Sequence, residues 1–361
     1  MFINNVAPEQ CKCFSIESIT DVDTKRKYTL TENNLKDDVA VEKFIQETHA
    51  ITYYDIRLGN ICNLQCLMCA PVSSNQLYNQ ETYKNSIDKN PNKNPNKSKI
   101  ILDSLKNETK NIKDYYEKLY TFDWANDDFF HKLEQQITKQ LSNKVELITF
   151  YFIGGEPLLN KPHFKFLRRL VELGLSKYIQ LEYNTNLTIV TDDILKLWNN
   201  FAHLTLAISI DDIQERYEYI RYPAIWNKIY NNVKEISHYI NNKSNISYNI
   251  VPVRNILTCD GYSQLKLYFE SEFNLSKIHP LMSDSPSHTV PSILTYDEKM
   301  LYLDALSQDK NFEDIKKYIL KFEYSDTSRS MFFKMLPYWE HTRNTKFKDT
   351  FTLLSAILKI I

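Results

Sequence analysis

The chain has 361 residues, with 44 Lys and Arg against 45 Asp and Glu for a formal charge of −1, and is 43% hydrophobic and 25% charged. That suits one large globular domain, or one with a small appendage, and the balanced charge excludes a whole-chain field that would draw nucleic acid or an acidic membrane surface. The longest nearly apolar stretch, Leu353 to Ile361, falls far short of the ~20 residues of a membrane span. The start, Met1-Phe-Ile-Asn-Asn-Val, lacks the basic residues and apolar core of an export signal, so a cytoplasmic location with no membrane partner is expected.

Residues 1–48 carry Cys11 and Cys13 and precede the first expected strand. From residue 53 short β-branched or aromatic runs alternate with amphipathic stretches, the pattern of βα units around a parallel sheet. Strands are expected near Tyr53–Leu58, Glu146–Ile153, Ile179–Tyr183, Leu204–Ile210, Ile246–Val253 and Lys277–Met282. Six strands point to an open or partial barrel over 49–290. Between them Trp226, Ile229, Tyr230, Val233 and Ile236 form one apolar stripe at helical period. The stretch 84–113 contains a short Asn/Pro/Lys repeat with almost nothing apolar, and reads as a mobile insertion. Beyond Pro291 the pattern turns helical, so 291–361 is expected to be a helical appendage.

Five glycines stand where ordinary usage of ~7% would place about 25, so each is expected where the backbone requires it. Three of the six cysteines, Cys62, Cys66 and Cys69, fall in one short run after the first strand. In a reducing compartment clustered thiols bind metal more often than they oxidise. Their spacing would also put them on one face of a helix. Gly59-Asn60 ahead of them and the scatter of Ile61, Leu64, Leu67 and Met68 favour a loop instead. Three thiolates suit zinc or an iron–sulfur cluster, although no His lies near to complete a closed zinc site.

A second motif, Gly154-Gly155-Glu156-Pro157-Leu158, ends the second strand. Glycine there lets a ligand approach the backbone, and Pro157 keeps Glu156 extended; an ordinary strand-to-helix turn is the alternative. The other strand ends are polar as well: Asn184-Thr185-Asn186, then Ser209 with Asp211-Asp212, then Arg254-Asn255. Ligands in parallel α/β folds sit at the carboxyl ends of strands. Thr191 and Asp211 also read as helix caps, and an ion pair with Glu218 is one reading of Arg221. Cys259 reads as a small buried residue, and none of the eight scattered His is assigned a role.

The Cys-x3-Cys-x2-Cys loop after a first strand resembles the radical S-adenosylmethionine (SAM) superfamily. The resemblance implies an α/β partial (β/α)6 barrel and a [4Fe–4S] cluster on Cys62, Cys66 and Cys69, with one iron left free for SAM. It further implies that Gly154, Gly155 and Glu156 receive the SAM amino group, and that Asn184, Ser209, Asp211 and Arg221 lie in the SAM site, Ser209 and Arg221 toward ribose and carboxylate. One electron from a donor such as ferredoxin or flavodoxin would break the sulfonium C–S bond to give methionine and a 5′-deoxyadenosyl radical, which takes hydrogen from a substrate; an open barrel would admit a peptide, a sugar or another small molecule.

A narrower resemblance rests on Asp55-Ile-Arg-Leu-Gly-Asn-Ile-Cys-Asn-Leu-Gln-Cys-Leu-Met-Cys, Tyr183-Asn-Thr-Asn-Leu-Thr, Ser209-Ile-Asp-Asp and Tyr219-Ile-Arg-Tyr-Pro. These are similar to radical SAM proteins with a "twitch" domain, over roughly residues 7 to 283. Those relatives hold an auxiliary cluster on extra cysteines; here only Pro8-Glu-Gln-Cys11-Lys-Cys13 resembles that region. Residues 1–48 are thus expected to be its remnant, and a single cluster per chain is expected. The rival classes are a metal-binding scaffold that catalyses nothing and a degenerate paralogue that binds SAM without turnover.

Overall fold

Alternating side chains build a sheet that is apolar on one face and polar on the other. In the computed structural model, residues 51–70, 73–79, 125–142, 147–240, 245–275 and 278–360 are described. The segment 1–48 and the insertion expected at 84–113 lie outside them. Strands β1 (Tyr53–Arg57), β2 (Ile148–Ile153), β3 (Ile179–Thr185), β4 (His203–Ile208) and β5 (Ile246–Ile250) form one parallel sheet in that order. On one face Phe150, Phe152, Leu181, Tyr183, Leu204, Leu206 and Ile208 are buried. Along the other, one register row runs Asp55, Tyr151, Glu182, Thr205, Ser247. There the Tyr53 hydroxyl crosses β2 to donate to Glu182 at 3.1 Å.

Crossover helices cover the apolar face, as parallel connections require. They are α1 (Asp127–Ser142), α2 (Lys161–Glu172), α3 (Asp192–Trp198), α4 (Gln214–Ile220), α5 (Trp226–Ile240) and α6 (Tyr262–Phe273). Their starts follow from the sequence. Asn160 accepts from the His163 amide at 2.8 Å, and Thr191 caps α3 through Ile194. The stripe read from sequence is the buried face of α5, with Trp226, Ile229, Val233 and Ile236 inside.

The expected strand Ile246–Val253 is interrupted. Pro252 has no amide hydrogen to give the ladder, so after Val251 donates to Ile208 at 2.8 Å the chain resumes as a short β6 (Val253–Arg254). The sixth strand runs beside this broken one: Ile278 bridges Ile250, Leu281 donates to the Pro252 carbonyl at 2.8 Å, and β7 (Leu281–Met282) pairs with β6. All pairings are parallel, and among the described residues the sheet does not close. This is the α/β architecture with an open parallel sheet that the sequence pointed to.

Five further helices follow: α7 (Tyr296–Ala305), α8 (Phe312–Lys321), α9 (Asp326–Arg343), α10 (Phe347–Thr350) and α11 (Thr352–Leu358). The first starts in a capping box between Thr295 and Glu298, and Arg329 clamps Glu298 with two bonds of 2.6 and 2.9 Å. These helices share a second core, in which Tyr302, Ile319, Phe332, Trp339, Phe347 and Phe351 meet Leu67, Tyr219, Ile220 and Cys259. The helical appendage therefore packs directly against the cysteine-bearing segment. Among the described residues no helix is long and apolar enough to cross a membrane.

Candidate functional site

The three cysteines lie in a loop at the carboxyl end of β1, so the one-face helix alternative does not hold. Other parts of the chain hold several backbone groups of that loop. Cys62 N donates to Asn75 Oδ1 at 3.1 Å, the Ser74 hydroxyl donates to the Leu64 carbonyl at 2.7 Å, Gln65 N to Tyr222 O at 2.6 Å and Leu67 N to Ile220 O at 2.9 Å. A loop fixed this way carries its thiols on a rigid frame, as a site needs. Cys62 and Cys66 are buried and Cys69 is half-buried.

Donors point at the sulfurs. Leu64 N and Asn186 Nδ2 lie 3.4 and 3.9 Å from Cys62 Sγ, and Arg221 Nη1 lies 3.8 Å from Cys66 Sγ. The Cys69 thiol donates to Cys66 and, with the Arg221 charge, holds Cys66 below the ordinary thiol value, while the same bond and burial raise Cys69. Burial pushes the Cys62 thiol up to about 12. Among the described residues no three His, Cys, Asp or Glu side chains converge tightly enough to hold one ion. A cubane asks for thiolates that reach separate irons, and a three-thiolate loop lined with sulfur-directed donors fits that group.

The glycine turn packs against the same loop. Glu156 N donates to Ile61 O at 2.8 Å. A Cβ on Gly155 would lie 2.2 Å from Ile61 O, and one on Gly154 2.7 Å from Gly59 O. Both glycines are thus needed for the close approach of two backbone segments. The glycines expected for the approach of a ligand also serve the approach of the cysteine loop. Glu156 is extended before Pro157, as expected, and nearly fully buried. Its Oε1 accepts from Leu158 N and the Thr185 hydroxyl at 3.1 and 2.6 Å, and its Oε2 from Asn186 N at 2.7 Å. Burial pushes this carboxyl up, and the three donors pull it back toward the charged form.

Asp211 and Arg221 depart from what was expected of them. Asp211 is not a helix cap. Its Oδ2 accepts from Arg221 Nε at 2.6 Å and its Oδ1 from Val253 N at 2.7 Å. Arg221 is buried and does not pair with Glu218, which instead accepts from the Trp226 amide at 2.7 Å. Ser209 stands at the end of β4, its amide bonded to Thr185 O at 2.9 Å. Asn184 lies on the polar sheet face beside Tyr151. At the sixth strand position, Arg254 stacks 3.9 Å over the Tyr262 ring, and Cys259 is fully buried.

Asn186 was read only as one of the polar strand ends, and Tyr217 and Arg343 were not anticipated. Asn186 joins Cys62 to Asn63, donating to Asn63 Oδ1 at 3.0 Å. Tyr217 places a fully buried hydroxyl, without a hydrogen-bond partner, near Arg221 and Cys66; its spacing of four from Arg221 was the available signal. Arg343, at the end of α9, donates to Tyr219 O at 2.6 Å and Gln65 O at 3.1 Å. Nothing in the sequence marked it.

A thiol loop at the carboxyl end of a parallel sheet, with a Gly-Gly-Glu turn locked against it, defines a class, and the family comparison agrees. The model of the Radical SAM superfamily matches residues 56–256, and the chain belongs to that superfamily. No curated protein matches it. Solved structures similar in fold include native anSMEcpe with bound AdoMet, at 15% identity and TM-score 0.45, covering 73% of this chain and 62% of that one. Streptococcus suis SuiB bound to precursor peptide SuiA matches at 11% identity and TM-score 0.40, covering 87% and 58%. SuiB bound to S-adenosylmethionine matches at 12% and 0.41, covering 88% and 60%. The chain thus spans about three fifths of the length of the solved chains it matches.

Proposed function

We propose that this protein is a radical SAM enzyme. Cys62, Cys66 and Cys69 would hold a [4Fe–4S] cluster. Gly154, Gly155, Glu156, Asn184, Ser209, Asp211 and Arg221 would form the SAM site. When bound, the pair supplies one chemistry: an electron from a low-potential donor such as ferredoxin or flavodoxin breaks the sulfonium C–S bond, leaving methionine and a 5′-deoxyadenosyl radical that abstracts a hydrogen atom from substrate. The observation that carries the reading is the locked juxtaposition of thiol loop and Gly-Gly-Glu turn, through the 2.8 Å bond from Glu156 N to Ile61 O. A purely structural metal site would not need the set Gly154, Gly155, Glu156 and Ser209 beside its thiols. Glu156 Oε2 accepts one donor only, which leaves it room for an ammonium group.

Several finer readings rest on the same proposal. The chain is of the twitch-related kind, with 1–48 a remnant of an auxiliary-cluster region, 49–290 the partial barrel and 291–361 a helical unit. It holds one cluster and works in the cytoplasm. Its substrate, a peptide or small molecule, meets the polar sheet face that bears Asp55, Tyr151 and Glu182.

Anaerobic reconstitution with iron and sulfide, then dithionite and SAM, tests the reading. On the order of four irons per chain and release of 5′-deoxyadenosine are expected, both lost in the Cys62→Ala, Cys66→Ala and Cys69→Ala variants. Iron uptake with no SAM binding would overturn the reading in favour of a metal scaffold. SAM binding without cleavage would overturn it in favour of a non-catalytic paralogue.

A further inference from the structure

Tyr217 lies on α4, fully buried, and its hydroxyl has no hydrogen-bond partner. Buried polar side chains are nearly always bonded, so an orphan of this kind calls for an explanation. Packing does not supply one. The ring meets Trp226 edge-on at 5.3 Å, a contact that phenylalanine would make equally well without burying an oxygen.

The surroundings of the hydroxyl narrow the choice. Burial keeps it protonated, and the charged groups acting on it are Arg221, Cys66, Asp211 and Glu156, the same residues that build the candidate site. Arg221 N donates to Tyr217 O at 2.8 Å, which ties Arg221 to the last turn of the helix that carries Tyr217. None of the nearby acceptors takes the hydroxyl. Both oxygens of Asp211 hold Arg221 and Val253, and Glu156 takes Leu158, Thr185 and Asn186. What the hydroxyl lacks is an acceptor from outside the chain, next to a guanidinium. A carboxylate meets that description, because it accepts from both donors at once.

We propose that Tyr217 donates a hydrogen bond to the carboxylate of SAM, beside Arg221, as a binding contact of this chain. The inference rests on the SAM site proposed above and adds a residue to it.

The test uses the reconstituted full-length protein and the Tyr217→Phe variant, which removes one oxygen and keeps the ring. Without SAM, iron content and cluster midpoint potential should match wild type, and the melting temperature of the metal-free protein should be equal or higher, since an unsatisfied buried group is gone. With SAM, calorimetry should show affinity weakened roughly tenfold, the size of a lost hydrogen bond to a charged group. Decarboxylated SAM should bind wild type and variant equally. Equal SAM affinity in the two proteins would overturn the proposal. So would equal weakening toward SAM and its decarboxylated analogue, and so would a shifted SAM-free potential with unchanged SAM affinity, which would assign the hydroxyl to the cluster. If wild type takes up the cluster but binds no SAM, the underlying reading fails and this one with it.

Discussion

Asp211 holds Arg221 by charge and the Val253 amide by a hydrogen bond, with both partners of the ion pair shielded from water. The guanidinium is thereby fixed with Nη1 toward Cys66. Asp211→Asn keeps the shape but offers one acceptor and one donor, so either Arg221 or Val253 must face a donor, and the buried cation loses its counter-charge. Breaking such a pair costs about 3–5 kcal/mol, which should appear as a lower urea midpoint of the metal-free protein. A loss under about 1 kcal/mol, the scale of exposed pairs, would show that water reaches the pair. Ser209, Asp211 and Arg221 were readable in the sequence as a set; the bond between two of them was not. Glu218 stands three residues before Arg221, the natural helical neighbour, but α4 ends at Ile220 and Arg221 has already left helical geometry, at φ −110° and ψ 36°. Its side chain turns inward as a result.

The contact between the glycine turn and the cysteine loop is one of backbone on backbone. Gly155 has φ +54°, and an added Cβ would fall 2.2 Å from Ile61 O and 2.8 Å from Ile61 N, one residue before Cys62. Gly174 is the matched control, with φ +68° and nothing within 4 Å of its Cβ position. Gly174→Ala should cost only the backbone strain, about 1–2 kcal/mol, and leave iron uptake unchanged. Gly155→Ala adds an overlap of about 1–3 kcal/mol to that strain, and it should also lower the iron held after reconstitution, because the loop must move to admit the methyl group. Equal effects of the two substitutions on denaturation and iron content would mean that the loop does not depend on the turn. The strands and α5 were legible because period two and period 3.6 leave their marks in any one segment. The division of the fifth strand was less so: Pro252 was visible, but which ladder bond it would remove depends on a partner strand some forty residues away.

Across the whole molecule, the helical unit after residue 290 completes the frame of the site. Arg343 closes α9 and reaches the cysteine loop, donating to Gln65 O and Tyr219 O, with its guanidinium 5.3 and 5.2 Å from the Tyr219 and Tyr222 rings. No carboxylate pairs with it among the described residues, and burial lowers its pKa to about 10. The cation is held by the Tyr219 and Gln65 carbonyls, the Thr342 hydroxyl and two ring faces, so its interactions reach the loop rather than a local ion pair. This contact joins residues 278 apart, and a link of that range leaves no trace in local periodicity. The helical appendage was therefore legible as an element, but its hold on the thiols was not. Arg343→Met keeps much of the apolar stem and removes all three donors, those to Tyr219 O, Gln65 O and the Thr342 hydroxyl, at about 1.5–3 kcal/mol for each charged hydrogen bond. The clearest reading is local: the Gln65 and Leu67 amides, bonded to Tyr222 O and Ile220 O, should exchange with deuterium faster in the variant, while the β2 and β3 amides keep their protection. Reconstituted iron should fall with them. Unchanged exchange at Gln65 and Leu67 would mean that the loop is held by the barrel alone and that the helical unit only covers it.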